Sequence, residues 1–364
     1  MRVLHVTKWF PNRDDVQNGV FVQKHIACTA GFAEVKVLAW LPSQSKTEIV
    51  ESIENDLPIT RHYFRRKTAI SYKRSAFRDY IRSHYNNKNL PDVVHLHVFS
   101  PDLLLVANWA KKKKIPVVIS EHWSGYMRGI FNQMPFWKKW AFKKLGAVQQ
   151  ILPVSQFLEN NMKSCGIAGQ FTVVPNVVDE NLHPAKKLEK FTFLVVADLI
   201  DEVKNVSGII HAFAEVGDAH PESELHIVGG GPDEKMIAEL VANSPVSGQI
   251  KLLGRLANEE VLKLMPVCHV LINNSRIESF GVVVLEAHAA GIPVISTRCG
   301  GPSEWLENGD FPIEVDNQQE LLNAMDAAFA AKGQTISFEK WKACLPEAVG
   351  EKLETIYRQL LSQK

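Results

Sequence analysis

At 364 residues, 46% of them hydrophobic and 22% charged, the chain has the composition of a globular protein with room for two cores. No apolar run reaches the ~18 residues of a membrane-spanning helix, and no charged-then-apolar leader opens the chain. Five cysteines without C-x-x-C spacing read as reduced thiols of a cytoplasmic protein, not as a zinc site or disulfide frame.

The net charge of +1 conceals a division. Residues 1–180 carry 25 Lys and Arg against 14 Asp and Glu, whereas residues 181–364 carry 16 against 26. A basic half suits an anionic membrane surface or a pyrophosphate-linked lipid acceptor. A basic surface balanced by an acidic neighbour accounts for the numbers equally well.

Val3–Val6 reads as a buried strand, followed by a loop through Pro11 and Asn18-Gly19. A helix is expected from Phe21 to Ala30, ended by Gly31, with Val35–Leu38 as the next strand. Such a β-loop-α-β unit opens a doubly wound domain, where ligands bind beyond the carboxyl ends of strands. Gly19 then lies at a site, although a helix-initiating glycine explains it as well. Residues 61–89 mix basic and aromatic side chains, a composition found on nucleic-acid and membrane binders. An irregular strand plus a solvated helix is the preferred reading, and no nucleic acid is expected as a partner.

Asp92–His97 is the following strand, and Lys111–Lys114 end the helix after Pro101. Pro116–Ser120 is a strand with Glu121-His122 at its carboxyl end. A histidine there faces the crevice and can change charge near neutral pH; a backbone-bonded histidine is the plainer alternative. In residues 127–145, Trp137, Trp140 and Phe142 alternate with Lys138, Lys139, Lys143 and Lys144. That pattern fits an interfacial anchor or an ordinary surface helix. Strands follow at Ile151–Val154 and Phe171–Val174. The domain crossing is placed within 176–190, giving domains of residues 1–180 and 181–346.

The second half repeats the rhythm, with strands at Phe191–Val196, Leu225–Val228, Ile250–Leu253 and His269–Ile272. Gly229-Gly-Gly-Pro232 is not G-x-G-x-x-G, which disfavours a nicotinamide dehydrogenase. Arg255 can stack on a base or simply be exposed. Arg276 to Ser296 then reads as loop, helix, turn and strand. The helix is expected over Val282–Ala290, with Gly281 at its start and Gly291 at its end. Glu278 precedes this helix and Glu286 lies inside it. Between them, the helix N-terminus offers free N–H groups to a phosphate. Carboxylates accept from vicinal hydroxyls. A diphosphate flanked by hydroxyl-rich groups matches the arrangement. A helical pattern over Ile336–Gln363 closes the chain.

The run Ser275-x-x-Glu278-Ser-Phe-Gly281, then Glu286-Ala-x-Ala-x-Gly291-x-Pro293-Val294 and Gly300-Gly301-Pro-Ser-Glu304, resembles the E-x7-E signature of the retaining glycosyltransferases of family 4. The resemblance spans nearly the whole chain and is strongest over about 190–305. It implies a GT-B architecture: two Rossmann-like α/β domains facing a central cleft, with a last helix, about 347–364, crossing back onto the first domain. It implies a nucleoside diphosphate sugar as donor, uridine being preferred to guanosine, with no cofactor and no metal. A sugar or lipid-linked glycan would be the acceptor. Glu278 would hold sugar hydroxyls, Glu286 the ribose, and backbone N–H groups at Phe280, Gly281 and Val282 the diphosphate, paired by Lys204. His122 would contact donor sugar or acceptor, Gly19 the donor phosphates, and Arg255 the base.

Two departures from the family pattern stand out. Only Gly19 remains of the usual glycine pair, and Asp198 stands where an arginine is common. A carboxylate near a diphosphate is repulsive by about 1 kcal/mol at 4 Å in water. Either Asp198 turns away or another cation, such as Arg276, compensates. The expected activity is sugar transfer in surface polysaccharide or glycolipid assembly, by a protein peripheral to the inner membrane face. A sugar-nucleotide epimerase or phosphorylase of similar fold, or a non-catalytic nucleotide-sugar-binding protein, is the alternative.

Overall fold

The computed structural model describes residues 1–44, 46–65, 70–86, 88–144, 148–179, 182–333 and 337–363, and the backbone of residue 145. The chain forms two compact units, Met1–Val177 with Pro346–Lys364, and Val178–Leu345. Residues 180 and 181, where the sequence suggests the boundary, lie outside the described residues, as does Ile336.

The first unit holds a seven-stranded sheet: β1 (Arg2–Thr7), β2 (Glu34–Ser43), β3 (Glu48–Glu54), β4 (Leu57–Arg65), β5 (Val93–His97), β6 (Val117–Glu121) and β7 (Gln150–Pro153). Its order is β3-β4-β2-β1-β5-β6-β7. Only β3 runs antiparallel to its neighbour. The β3–β4 hairpin escapes the sequence reading because its turn has no glycine. Asn55 and Asp56 take φ of 48° and 62°, the positive values that a two-residue hairpin turn requires. The segment from residue 57 therefore enters a regular strand, and Ile70–His84 is the helix after it.

The strand expected at Phe171–Val174 is corrected to an extended edge segment. It pairs with β7 through Ile151 N–H to Gln170 O, Thr172 N–H to Ile151 O and Val174 N–H to Pro153 O, but Pro153 has no N–H to offer Thr172 O, so the ladder is interrupted. Pro135 divides residues 127–145 into helices Ile130–Gln133 and Phe136–Leu145, because the residue before a proline is held extended. The last helix, Pro346–Ser362, buries Val349, Leu353, Ile356 and Tyr357 at helical spacing against Val3, Val93 and Val118. That stripe makes it part of the first unit.

The second unit holds β8 (Phe191–Val196), β9 (Ser223–Val228), β10 (Ile250–Gly254), β11 (Val270–Asn273), β12 (Val294–Thr297) and β13 (Phe311–Ile313). All pairings are parallel, in the order β10-β9-β8-β11-β12-β13. Its core joins Phe191, Phe193 and Val195 on alternate positions of β8 to Ile209, Phe213 and Val216 of the helix Val206–Ala219. With β3 set aside, both sheets have the Rossmann order, third-second-first-fourth-fifth-sixth. The order reverses between β1 and β5 in one unit and between β8 and β11 in the other. At those points adjacent loops diverge and leave a crevice.

Candidate active site

In the second unit the loops after β8 and β11 meet at the reversal point. Hydrogen bonds stitch them together: the Arg276 backbone N–H donates to Val203 O at 2.7 Å, and the Asn274 side-chain amide donates to Asn205 O at 3.1 Å. The loop after β12 holds Glu278 from the other side, where Glu278 N–H donates to Cys299 O at 3.1 Å and Gly301 N–H to Glu278 O at 3.0 Å. Three strand ends thereby fix one carboxylate. Lys204 Nζ lies 3.2 Å from Glu278 Oε2, both side chains about one-fifth exposed. That oxygen is buried and has no hydrogen bond of good geometry within the protein.

Three residues on, Gly281 takes φ of 86° and starts the helix Val282–Ala289 without a side-chain cap. A Cβ there would stand 2.7 Å from Pro302 Cγ, so the turn and the close approach both require glycine. The first helical turn has no acidic residue to occupy its N–H groups. Glu286 follows on the second turn, buried. The helix closes through Ala290, with Gly291 at φ of 71°.

Arg255 Nη2 lies 3.3 Å from Asp198 Oδ1, with both side chains more than half exposed, and 3.2 Å from Gly230 O. The carboxylate at the arginine position is paired by a cation from the loop after β10. Arg276, the alternative cation, is engaged elsewhere: its Nε donates to Asp316 at 2.7 Å and its Nη1 to Asp201 O at 2.8 Å. Burial, and then Glu278, push the Cys299 thiol up to about 11, so it is neutral and unreactive at physiological pH. Ser303 and Trp305, passed over in the sequence reading, bury a hydroxyl and an indole N–H without partners. Trp305 packs edge-on to Phe280 with ring centres 5.2 Å apart. Nothing local in the sequence marks them.

In the first unit, Gly19 adopts φ of 70° ahead of the helix Val20–Ala30. An added Cβ would meet the Trp9 carbonyl at 2.3 Å. The chain's own loop accounts for this glycine. His122 sits at the end of β6, buried, with neither ring nitrogen hydrogen-bonded at good geometry. Its ring lies 4.5 Å from Phe21 and 5.3 Å from His25. The expected change of charge near neutral pH is corrected: burial, reinforced by His25, holds its pKa well below the ordinary histidine value. At pH 7 it is a neutral donor–acceptor.

Glu121, its neighbour, accepts from the N–H groups of Phe99, His122 and Trp123 and from the Tyr126 hydroxyl. This buried carboxylate ties together the loops after β5 and β6 and fixes the backbone of His122. Burial raises its pKa above the usual glutamate value. His5, His95 and His97 bring nitrogen atoms within 4.8 Å of one another beneath the same face. Their geometry is poor for a shared metal. The His95 and His97 rings stack at 4.1 Å with planes 21° apart, so their lone pairs do not converge. Both His95 nitrogens are engaged, by Tyr357 Oη and Ser120 Oγ.

Comparison with known proteins places this arrangement. The family "Glycosyl transferases group 1" matches residues 156–340, and "Glycosyltransferase Family 4" matches residues 33–182. An alpha-monoglucosyldiacylglycerol synthase of Acholeplasma laidlawii is 27% identical over 321 residues, 79% of this chain and 78% of that one. An N-acetyl-alpha-D-glucosaminyl L-malate synthase of Bacillus anthracis is 37% identical over 166 residues, 45% of this chain and 40% of that one. Among solved structures, a sucrose-phosphate synthase of Thermosynechococcus elongatus superposes with a TM-score of 0.80 at 16% identity, each chain covered completely. A trehalose-6-phosphate protein from E. coli, bound with UDP-2-fluoro glucose, gives 0.72 at 12% identity, covering 99% of both. No described helix is long and apolar enough to cross a membrane. The chain belongs to the group 1 and family 4 glycosyltransferases and has their GT-B type of fold: it is a glycosyltransferase.

Proposed function

We propose that the protein is a retaining transferase that moves a sugar from a nucleoside diphosphate sugar, UDP rather than GDP, to a hydroxyl of a glycolipid or lipid-linked glycan. The observation that carries this reading is the pairing of Lys204 with Glu278 ahead of the uncapped helix start at Gly281. A diphosphate on that helix N-terminus is neutralised by the helix dipole and by Lys204. Both act most strongly as the leaving group gains charge, which lowers the barrier. The bond from the anomeric carbon to the diphosphate breaks, and the electron pair leaves with the phosphate oxygen. The acceptor oxygen bonds to the same face of the sugar and gives its proton to the departing diphosphate. Glu278, paired with Lys204, orients sugar hydroxyls, Glu286 takes the ribose, and neutral His122 supplies a hydrogen bond on the acceptor side. No metal is assigned a role.

The similarity to an alpha-monoglucosyldiacylglycerol synthase supports a lipid acceptor. The basic excess of residues 1–180 suits a position peripheral to an anionic membrane, on its cytoplasmic face. The test is thermal shift with a panel of nucleoside diphosphates, then product analysis with the sugar of the best base and a lipid acceptor. The expected result is stabilisation by UDP and an α-linked product from an α-linked donor. An inverted product, or stabilisation by no nucleoside diphosphate, overturns the reading.

A further inference from the structure

Three helices of the first unit form a cationic, aromatic face that the transfer chemistry leaves unused. They are Ile70–His84, Leu104–Lys112 and Phe136–Leu145, with four, two and four Lys or Arg residues and a single carboxylate, Asp79. Two grooves join them. The first, about 530 Å³, has Arg74, Arg78, Arg82 and Lys112 along its rim and Phe77 and Trp109 on its floor. The second, about 410 Å³, runs between Lys111, Lys144 and Trp140. Asn108 lines both, so the two grooves are neighbours.

The cations of this face are largely unneutralised. Lys73 is held by Asp102 at 2.7 Å, and Arg82 lies 3.9 Å from Asp79. Among the described residues no other Lys or Arg on these helices has a carboxylate within ion-pair distance, and His84 lies 3.5 Å from Glu51. At the end of the face, Phe136 is 84% exposed, Trp140 57% and Trp137 52%. Lys138 Nζ stands 5.5 Å over the Trp137 ring and Lys144 Nζ 5.5 Å over the Trp140 ring.

We propose that this face docks on the surface of an anionic phospholipid bilayer. The groove-rim arginines would engage lipid phosphates, and Phe136, Trp137 and Trp140 would insert at headgroup depth. A bilayer accounts for both halves of the surface. Rows of Arg and Lys match a plane of phosphates. A protruding Phe136 has only carbon to offer, so it gains from hydrocarbon and nothing from a phosphodiester backbone. The lysines over the tryptophan rings are placed to stay in the headgroup layer while the rings descend. This inference deepens the reading of a membrane-located acceptor and rests on that part of it, not on the transfer chemistry.

Flotation of the full chain with phosphatidylcholine vesicles, with and without phosphatidylglycerol, tests it. Recovery with the anionic vesicles alone is expected, falling as salt rises, with a blue shift of tryptophan fluorescence. Arg74→Glu with Arg78→Glu, and separately Trp137→Ser with Trp140→Ser, should each lower partition about tenfold or more. Both pairs should leave the thermal shift by UDP unchanged. That shift reads the other unit, so failure of docking and failure of the transferase assignment are distinguishable. Should the charge reversals alter melting, Arg74→Gln with Arg78→Gln replaces them. Absence of partition, equal recovery with neutral vesicles, variants that float like the parent, or binding to single-stranded RNA that vesicles do not displace would each overturn the proposal.

Discussion

Glu278 and Glu286 share a chemistry and differ in setting. Glu278 is partly open, with Lys204 beside it and one oxygen without a protein hydrogen bond, whereas Glu286 is buried in the helix. Their replacements should separate. Glu286→Ala removes a ground-state contact and should weaken UDP binding about tenfold, the worth of one charge-assisted hydrogen bond, measured by calorimetry. Lys204→Ala removes charge stabilisation that grows in the transition state. It should cut kcat by roughly 10²–10³ while changing KM less. A loss confined to KM in the lysine variant would assign it to binding alone. Glu121→Gln turns an amide N–H toward backbone donors that now meet a carboxylate. It should cost about 2 kcal/mol in urea unfolding. This residue is invisible to spacing arguments, because its four donors come from Phe99, His122, Trp123 and Tyr126. His122 was legible as a strand-end residue, but its neutral state was not, since burial and His25 set it.

Among elements, the helix start at Gly281 was the most readable, because a glycine, the largely apolar run Val282–Ala289, Gly291 and Pro293 all agree on one local structure. Gly281→Ala should destabilise the second unit by about 1–3 kcal/mol, from positive φ and contact with Pro302, and should abolish UDP stabilisation in thermal shift. Unaltered binding in that variant would mean the diphosphate lies elsewhere. The β3–β4 hairpin shows the opposite case. Its turn residues Asn55 and Asp56 both hold positive φ, yet neither is the glycine that announces such a turn. Asp56→Gly should therefore raise stability by a few tenths of a kcal/mol, seen as a higher urea midpoint. The extended segment at Phe171 carries strand composition without a full ladder, because its partner Pro153 in β7 has no N–H to donate.

Across the whole molecule, acid is the expected weak point. His5 is held down at about 3 and His25 at about 4 by burial, and His95, His97 and His122 lie well below the ordinary value. A folded pKa below the unfolded ~6.5 leaves stability intact above that pH. As pH falls from about 6.5 toward 4, the unfolded chain gains protons that the folded chain refuses. Each histidine then costs about 1.4 kcal/mol per pH unit. His62 and His269, each held down at about 4 mainly by burial, add to the same fall, while Glu121, raised by burial, works in the other direction, one group against seven histidines among the described residues. Urea midpoints should drop steeply over that window, and His25→Asn should flatten the fall. A midpoint that stays level down to pH 5 would mean the imidazoles accept protons while folded.

Sequence alone determined what short-range physics encodes: the alternation of buried strands with capped helices, the loops at strand ends, and the Glu278-x7-Glu286 frame around one helix N-terminus. Tertiary structure decided which groups are charged and whom they meet. Arg255 reaches Asp198 across 57 positions, and Tyr357 reaches His95 across 262. Periodicity and turn chemistry act within a few residues and survive in the linear text. Desolvation and long-range pairing exist only after distant segments close around a group, and they set its protonation and its partners.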